Sequence, residues 1–299
     1  MRPSIRSGNC TRIDDLKMPT CLLGIDVSTT ATKALLMDEQ GRVIAVAATK
    51  YPFDTPRPLW SEQDPALYWN GTVRSIRKVL EQSQVDPAHI AAVGRTGQMH
   101  GLTLLDARGD PLRPCIMWND QRMAAECATI SERVGKERVL QPTGNPVVPG
   151  FSASKILWVR KNEPAVYRRV AHLLLPKDYA RYRLTNEFVS DVSDSSGTAL
   201  FDVGKRQWSD EMLQALEIPR TWLPEVTESA VVSAKISAGA ANATGLIEGT
   251  PVVGGGGDQA AQAVGTGIVH EGIASVTLGT SGVLFAQSDT FRVGNCSAY

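Results

Sequence analysis

Short apolar runs separated by turn residues dominate the first part of the chain. Cys21-Leu22-Leu23-Gly24-Ile25-Asp26 predicts a buried strand, Lys33-Ala34-Leu35-Leu36-Met37 a second, and Val43-Ile44-Ala45-Val46-Ala47-Ala48 a third. Asp38-Glu39-Gln40-Gly41 is the turn between the last two. Tight connections between three consecutive strands imply an antiparallel meander. Asp64-Pro65 then opens a helix, with the aspartate as cap and the proline in the first turn. Trp69, Val73, Ile76 and Leu80 recur at helical spacing on one face. Two more strands are expected at 90–94 and 102–105. The β-β-β-α-β order predicts an α/β fold with a mixed sheet.

Beyond residue 120 the pattern turns helical, with helices expected over 121–134, 154–161 and 178–184. Residues 197–222 mix turns with a short amphipathic helix. The sheet signal returns at Thr250-Pro251-Val252-Val253-Gly254. Two apolar strands, 273–278 and 283–286, then flank Gly279-Thr280-Ser281-Gly282 as a hairpin. Residues 1–19 are polar and aperiodic and are expected to be a disordered extension, with Met18 as a second place for the chain to start.

Composition narrows the function. The 299 residues are 42% hydrophobic, enough for a real core, and carry 31 Lys plus Arg against 31 Asp plus Glu. That balance demands no nucleic-acid face. No apolar run approaches the ~20 residues that span a bilayer. No apolar stretch follows the basic start, so a secretory signal is not expected. The five cysteines are scattered, with no Cys-x-x-Cys pair. A reducing cytoplasm fits them better than a disulfide framework.

Five segments carry candidate chemistry. In Gly24-Ile25-Asp26-Val27-Ser28-Thr29-Thr30-Ala31-Thr32-Lys33 a carboxylate ends a buried strand and a hydroxyl-rich turn follows. Such a turn can hold a phosphate, and the acid beside it a metal such as Mg²⁺. A plain polar hairpin is the competing reading. In Gly254-Gly255-Gly256-Gly257-Asp258-Gln259 the glycines allow close approach of the backbone. Asp258 is then positioned to take a proton from an attacking hydroxyl, or to cap the helix that follows. Gly279 and Thr280 repeat the logic of the first turn, so the pair could grip a triphosphate from two sides. In Gly97-Gln98-Met99-His100-Gly101, His100 reads as a donor to a substrate hydroxyl or as a structural histidine. Trp118-Asn119-Asp120-Gln121-Arg122 offers the aromatic face and polar groups of a polyol pocket, or a helix cap after a buried tryptophan.

Together, in this order across roughly residues 20–290, these segments resemble the FGGY family of carbohydrate kinases, and within it the xylulokinase branch. Gly150-Phe151-Ser152-Ala153-Ser154-Lys155-Ile156-Leu157-Trp158-Val159-Arg160-Lys161-Asn162 fits the family's first signature, and Asp191-Val192-Ser193-Asp194-Ser195-Ser196-Gly197 is similar to the same branch. The resemblance implies a two-lobed actin/hexokinase/Hsp70-like ATPase fold with an RNase-H-like mixed sheet in each lobe. It implies ATP and Mg²⁺ as co-substrate and metal, and D-xylulose as the sugar converted to D-xylulose 5-phosphate. Asp258 matches the catalytic proton acceptor. Met99 and His100, with Trp118, Asp120 and Asp258, would bind the sugar. Asp26 would lie at the metal, Thr29, Thr30 and Thr32 in the first phosphate loop, and Gly279 and Thr280 in the second.

The family carries a whole second lobe after that loop, whereas this sequence stops at Tyr299. The expectation is a sugar-binding domain over 20–267, the start of a nucleotide domain over 268–299, and a second lobe largely missing. Strands 273–278 and 283–286 would then expose unpaired apolar edges, and the chain alone would show little kinase activity. Partner expectations are a small sugar and ATP, no nucleic acid, no membrane, and a homodimer. Competing readings are another family kinase, acting on glycerol, gluconate, ribulose or fuculose, and a non-catalytic sugar-binding remnant.

Overall fold

The computed structural model describes residues 20–278 and 282–294. The expected extension 1–19 and the expected phosphate residues Gly279 and Thr280 lie outside the described residues. The main sheet has seven strands, here β1 (Cys21–Val27), β2 (Ala31–Asp38), β3 (Val43–Lys50), β4 (Ile90–Gly97), β5 (Val232–Lys235), β6 (Pro251–Val253) and β7 (Gly256–Gly257). Their order is β5-β6-β4-β1-β2-β3, with β7 also pairing β4. The β1–β2–β3 meander is antiparallel, whereas β4 lies parallel to β1, β6 and β7. The sheet is therefore mixed, as the element order predicts.

Strand β1 alternates cleanly, with Cys21, Leu23, Ile25 and Val27 at most 1% exposed. That face packs under helix α1 (Pro65–Ser83), whose cap is Asp64 accepting from Ala66 N at 2.9 Å. The buried face of α1 is not the one that apolar spacing predicts. It runs through Tyr68, Gly71, Thr72, Ser75, Ile76 and Val79, while Trp69, Val73 and Leu80 are only partly covered. Small and hydroxylated residues let the helix lie close to the sheet. A Cβ on Gly71 would stand 2.8 Å from Thr32 Oγ1, and Ser75 Oγ donates to Thr32 O at 2.8 Å.

Helices at Ala124–Arg133, α2 (Ser152–Asn162) and α3 (Pro176–Thr185) answer the expected helices within a few residues. A helix at Lys136–Thr143 was not expected, because Pro142 sits inside it. The expected strand at 102–105 forms as Thr103–Leu105. It leaves the main sheet and pairs with His172–Leu174. Two buried clusters result, one between sheet and α1, the other around Leu102, Ile116, Ile156 and Phe201. The stretch 98–101 links them.

The hairpin Ala274–Leu278/Gly282–Ala286 pairs with no other strand among the described residues. Leu278 and Leu284 are 84% and 73% exposed. Within the described residues, no helix is long and apolar enough to cross a membrane.

Candidate active site

Three strand ends converge on one edge of the sheet. The turn after β1 is closed by Ser28 N donating to Ala31 O at 2.9 Å. Asp26 stands beside Lys33 of β2 and Thr96 of β4 in the ladder. Its Oδ2 accepts from Ser28 Oγ at 2.5 Å and lies 3.4 Å from Lys33 Nζ. Its Oδ1 is buried without a hydrogen-bond partner among the described residues.

The glycine run approaches β4 from the other side. Gly255 has φ +86°, and a Cβ there would lie 2.3 Å from Arg95 O, so only glycine fits. Gly256 and Gly257 then pair with Thr96 and Gly97. Asp258 is the first residue of helix α4 (Asp258–Gly265), which Gly257 caps, and its Oδ1 accepts from Gln259 Nε2 at 3.4 Å. Burial raises its carboxyl above the ordinary carboxylate range, against the opposing effect of Gln259, and the like charge of Asp26 adds to the rise.

His100 is held more firmly than its neighbours. Its backbone is left-handed, with φ +65°, a conformation costing a side chain about 1 kcal/mol. Lys155 Nζ and Ser152 Oγ of α2 both donate to its carbonyl, at 2.6 and 3.2 Å. Lys155 also donates to Gly150 O at 2.5 Å. The ring packs edge-on against Phe151. Nδ1 lies 2.6 Å from Gly197 O, which must take a proton, so Nδ1 is the donor. Burial pushes the imidazole down to about 4, so the ring is neutral at pH 7. Nε2 is then an acceptor. This corrects the expectation of a donor: His100 can receive a hydrogen bond from a hydroxyl.

These parts enclose a cleft of about 310 Å³ lined by Thr29, Gln98, Met99, His100, Trp118, Asp258 and Gln259, with Val283 at its rim. Trp118 Nε1 donates to Thr29 Oγ1 at 3.1 Å, joining the aromatic wall to the first turn. Gln98, quoted within its motif but given no role from sequence, is 2% exposed, and its Oε1 has no hydrogen-bond partner among the described residues. Its place between Gly97 and Met99 was the available signal. Lys155 belongs to the Gly150–Asn162 segment that carries the family resemblance, and its part in holding the His100 carbonyl is what the structure adds.

Two expected site residues lie elsewhere. Asp120 is fully buried, its oxygens taken by Ser61 N at 2.7 Å and by Arg122 at 2.6–3.0 Å. Arg122 in turn stacks between Trp60 and Trp158, 3.5 and 4.8 Å from the ring centres, and reaches Glu62 at 2.8 Å. Asp120 is therefore saturated inside the fold and faces no sugar. Thr32 is also fully buried, its hydroxyl 3.2 Å from Tyr51 Oη under α1, because strand alternation turns it to the core face. Thr30 is exposed beside the turn.

A family model described as the N-terminal domain of the FGGY family of carbohydrate kinases matches residues 21–265. The chain belongs to the FGGY family. It is 46% identical over 269 residues to the xylulose kinase of Escherichia coli (strain K12), covering 90% of this chain and 54% of that protein. It is 45% identical over 269 residues to the xylulose kinase of Klebsiella pneumoniae, covering 90% and 55%. The crystal structure of xylulose kinase from Rhodospirillum rubrum superposes with a TM-score of 0.89 at 29% identity, covering 92% of this chain and 56% of that one. The chain spans about half the length of the relatives it matches. The FGGY segments quoted from sequence within residues 21–265 thus fall inside the matched family domain, and the family expectation for an α/β, ATPase-like lobe holds.

Proposed function

We propose that residues 20–267 form the sugar-binding domain of an ATP-dependent kinase that converts D-xylulose to D-xylulose 5-phosphate, and that 268–299 begin its nucleotide domain. The observation carrying this reading is the single cleft that unites Met99, His100 and Asp258. Two supports add to it: the raised carboxyl of Asp258, and the xylulose kinases among the relatives.

In this reading Asp258 accepts the proton of a sugar hydroxyl while that oxygen bonds the γ-phosphorus of ATP and the bond to ADP breaks. A carboxyl with a raised pKa is a stronger base than an ordinary one. His100 accepts from a second hydroxyl through Nε2, and Gln98 Oε1 is available to a third. Thr29 and Thr30 frame the phosphate turn. The free Oδ1 of Asp26 fits a hard cation, so Asp26 is the residue that would hold Mg²⁺. Bound there, the ion would offset phosphate charge. A cytoplasmic setting suits an ATP-consuming protein whose Cys115 and Cys127 are buried.

Calorimetry with D-xylulose, glycerol, gluconate, ribulose and fuculose tests the sugar. D-xylulose is expected to bind most tightly, and preference for any other member of the panel would overturn the assignment. Turnover is expected from a protein that also carries the relatives' second half, and ADP release is its readout.

A further inference from the structure

The segment 191–197 has no part in the proposed chemistry, yet it touches the cleft at both ends. At one end Gly197 O receives the His100 ring. At the other, Ser193 Oγ lies 3.0 Å from Gly257 N, 64 residues away in sequence and one residue before Asp258.

The direction of these hydrogen bonds is fixed. Ser193 Oγ lies 2.6 Å from Asp191 Oδ2, which can only accept, so the serine proton goes there. Toward Gly257 the same oxygen must accept, which suits a backbone N–H. Asp191 is itself immobilised. Its Oδ2 caps the short helix Val192–Ser196 by accepting from Ser193 N at 2.7 Å and Asp194 N at 3.2 Å. Its Oδ1 lies 2.8 Å from Lys177 Nζ. Lys177 also pairs with Asp178 and Asp194, and these four side chains are at most 1% exposed. Displacing that anchor would leave buried charge unpaired. Gly257 also abuts Met99, whose Sδ would lie 2.8 Å from a Cβ there. The Gly257 peptide is therefore hydrogen-bonded to Ser193 and packed against a residue lining the cleft.

We propose that Ser193 is a positioning residue for Asp258, holding the Gly257 peptide so that the carboxylate and Met99 keep their places in the cleft. The role rests on the reading of Asp258 as the sugar-contacting base. A threonine can make both hydrogen bonds of Ser193, and an alanine neither.

The test uses the full 299-residue chain as wild type, Ser193→Ala, Ser193→Thr and Asp258→Ala. Amide exchange at Gly257 is read by NMR, D-xylulose affinity by calorimetry, and integrity by the unfolding midpoint. Ser193→Ala is expected to speed Gly257 exchange and weaken D-xylulose about tenfold, the scale of one lost hydrogen bond. Ser193→Thr is expected to restore both. Unchanged exchange in Ser193→Ala overturns the proposal, and so does failure of threonine to restore affinity at an unchanged midpoint. Faster exchange with wild-type affinity overturns it too, provided Asp258→Ala does weaken D-xylulose. If Asp258→Ala leaves affinity untouched, the reading of Asp258 falls instead, and the exchange data still decide whether Ser193 holds the peptide.

Discussion

The Nδ1 of His100 donates to the carbonyl of Gly197, 2.6 Å away and 97 residues further along the chain. That contact sets the tautomer of the ring and so makes Nε2 an acceptor. It also depends on the absence of a side chain at residue 197. A Cβ there would lie 2.6 Å from His100 Cε1 and 3.0 Å from Met99 Cε.

Gly197→Ala isolates this packing. The backbone at Gly197 has φ −81°, which alanine adopts without strain, so the change acts through space alone. The ring and Met99 must shift. D-xylulose affinity is expected to fall about tenfold, and overpacking to lower stability by about 1–3 kcal/mol. A calorimetric titration indistinguishable from wild type would remove His100 from the sugar site.

Asp258→Ala addresses the base. In a protein carrying the relatives' second half, turnover is expected to drop about 10²–10⁴-fold with the fold retained. The wild type should also show an acidic limb. A carboxylate base works only when ionised, and burial raises the Asp258 pKa, so the proposed reaction should lose rate as pH falls through that raised value. The limb should therefore begin at higher pH than an ordinary aspartate would set. A rate profile flat down to pH 4 would argue that another group takes the proton.

What the sequence discloses follows from how local each feature is. The β1–β2–β3 meander, the Asp64-Pro65 helix start and the Asp258 turn are written in neighbouring residues, and each forms where spacing puts it. The buried face of α1 was misjudged because Gly71, Thr72 and Ser75 bury by being small, and hydropathy does not register that. Thr32 was drawn into a phosphate loop because the hydroxyl run Ser28 to Thr32 looks continuous. Strand alternation ends the loop at Ala31, the first residue of β2. Asp120 sat in a polar pentapeptide, and only tertiary packing shows that Arg122 claims it. Neither the Ser193–Gly257 contact nor the Lys177 cluster has a local signal, since each joins residues from separate elements.

Lys177→Met should expose the tension in that cluster. Burial disfavours the ammonium, but Asp178, Asp191 and Asp194 outweigh it and raise its pKa, so Lys177 stays charged. Removing it leaves three buried carboxylates without their cation, and a loss of about 3–5 kcal/mol is expected by urea unfolding. Burial already holds Asp194 well above the carboxylate range. A folded-state pKa raised in this way means the folded form binds the proton more tightly, so stability rises as pH falls through it. The variant should thus recover part of its loss on mild acidification. A loss that is independent of pH would mean that the carboxylates are not the source of the penalty.

Arg95 presents the opposite case. It sits on β4 opposite Ile25, is 4% exposed, and none of its guanidinium nitrogens has a hydrogen-bond partner among the described residues. Burial, reinforced by Arg181, pushes its pKa down to about 9 despite the nearby Asp178 and Tyr51. A depressed pKa on a cation means that the unfolded chain holds the proton more tightly. Below pH 9 both states are protonated and the folded state bears the full penalty, which shrinks as pH climbs above 9. Arg95→Ile replaces this charge by a β-branched residue suited to a buried strand. It is expected to raise the unfolding free energy by about 1–4 kcal/mol at neutral pH. The difference between variant and wild type should narrow above pH 9. A lower urea midpoint for Arg95→Ile would show that the guanidinium is satisfied in solution and that its burial contributes to the fold.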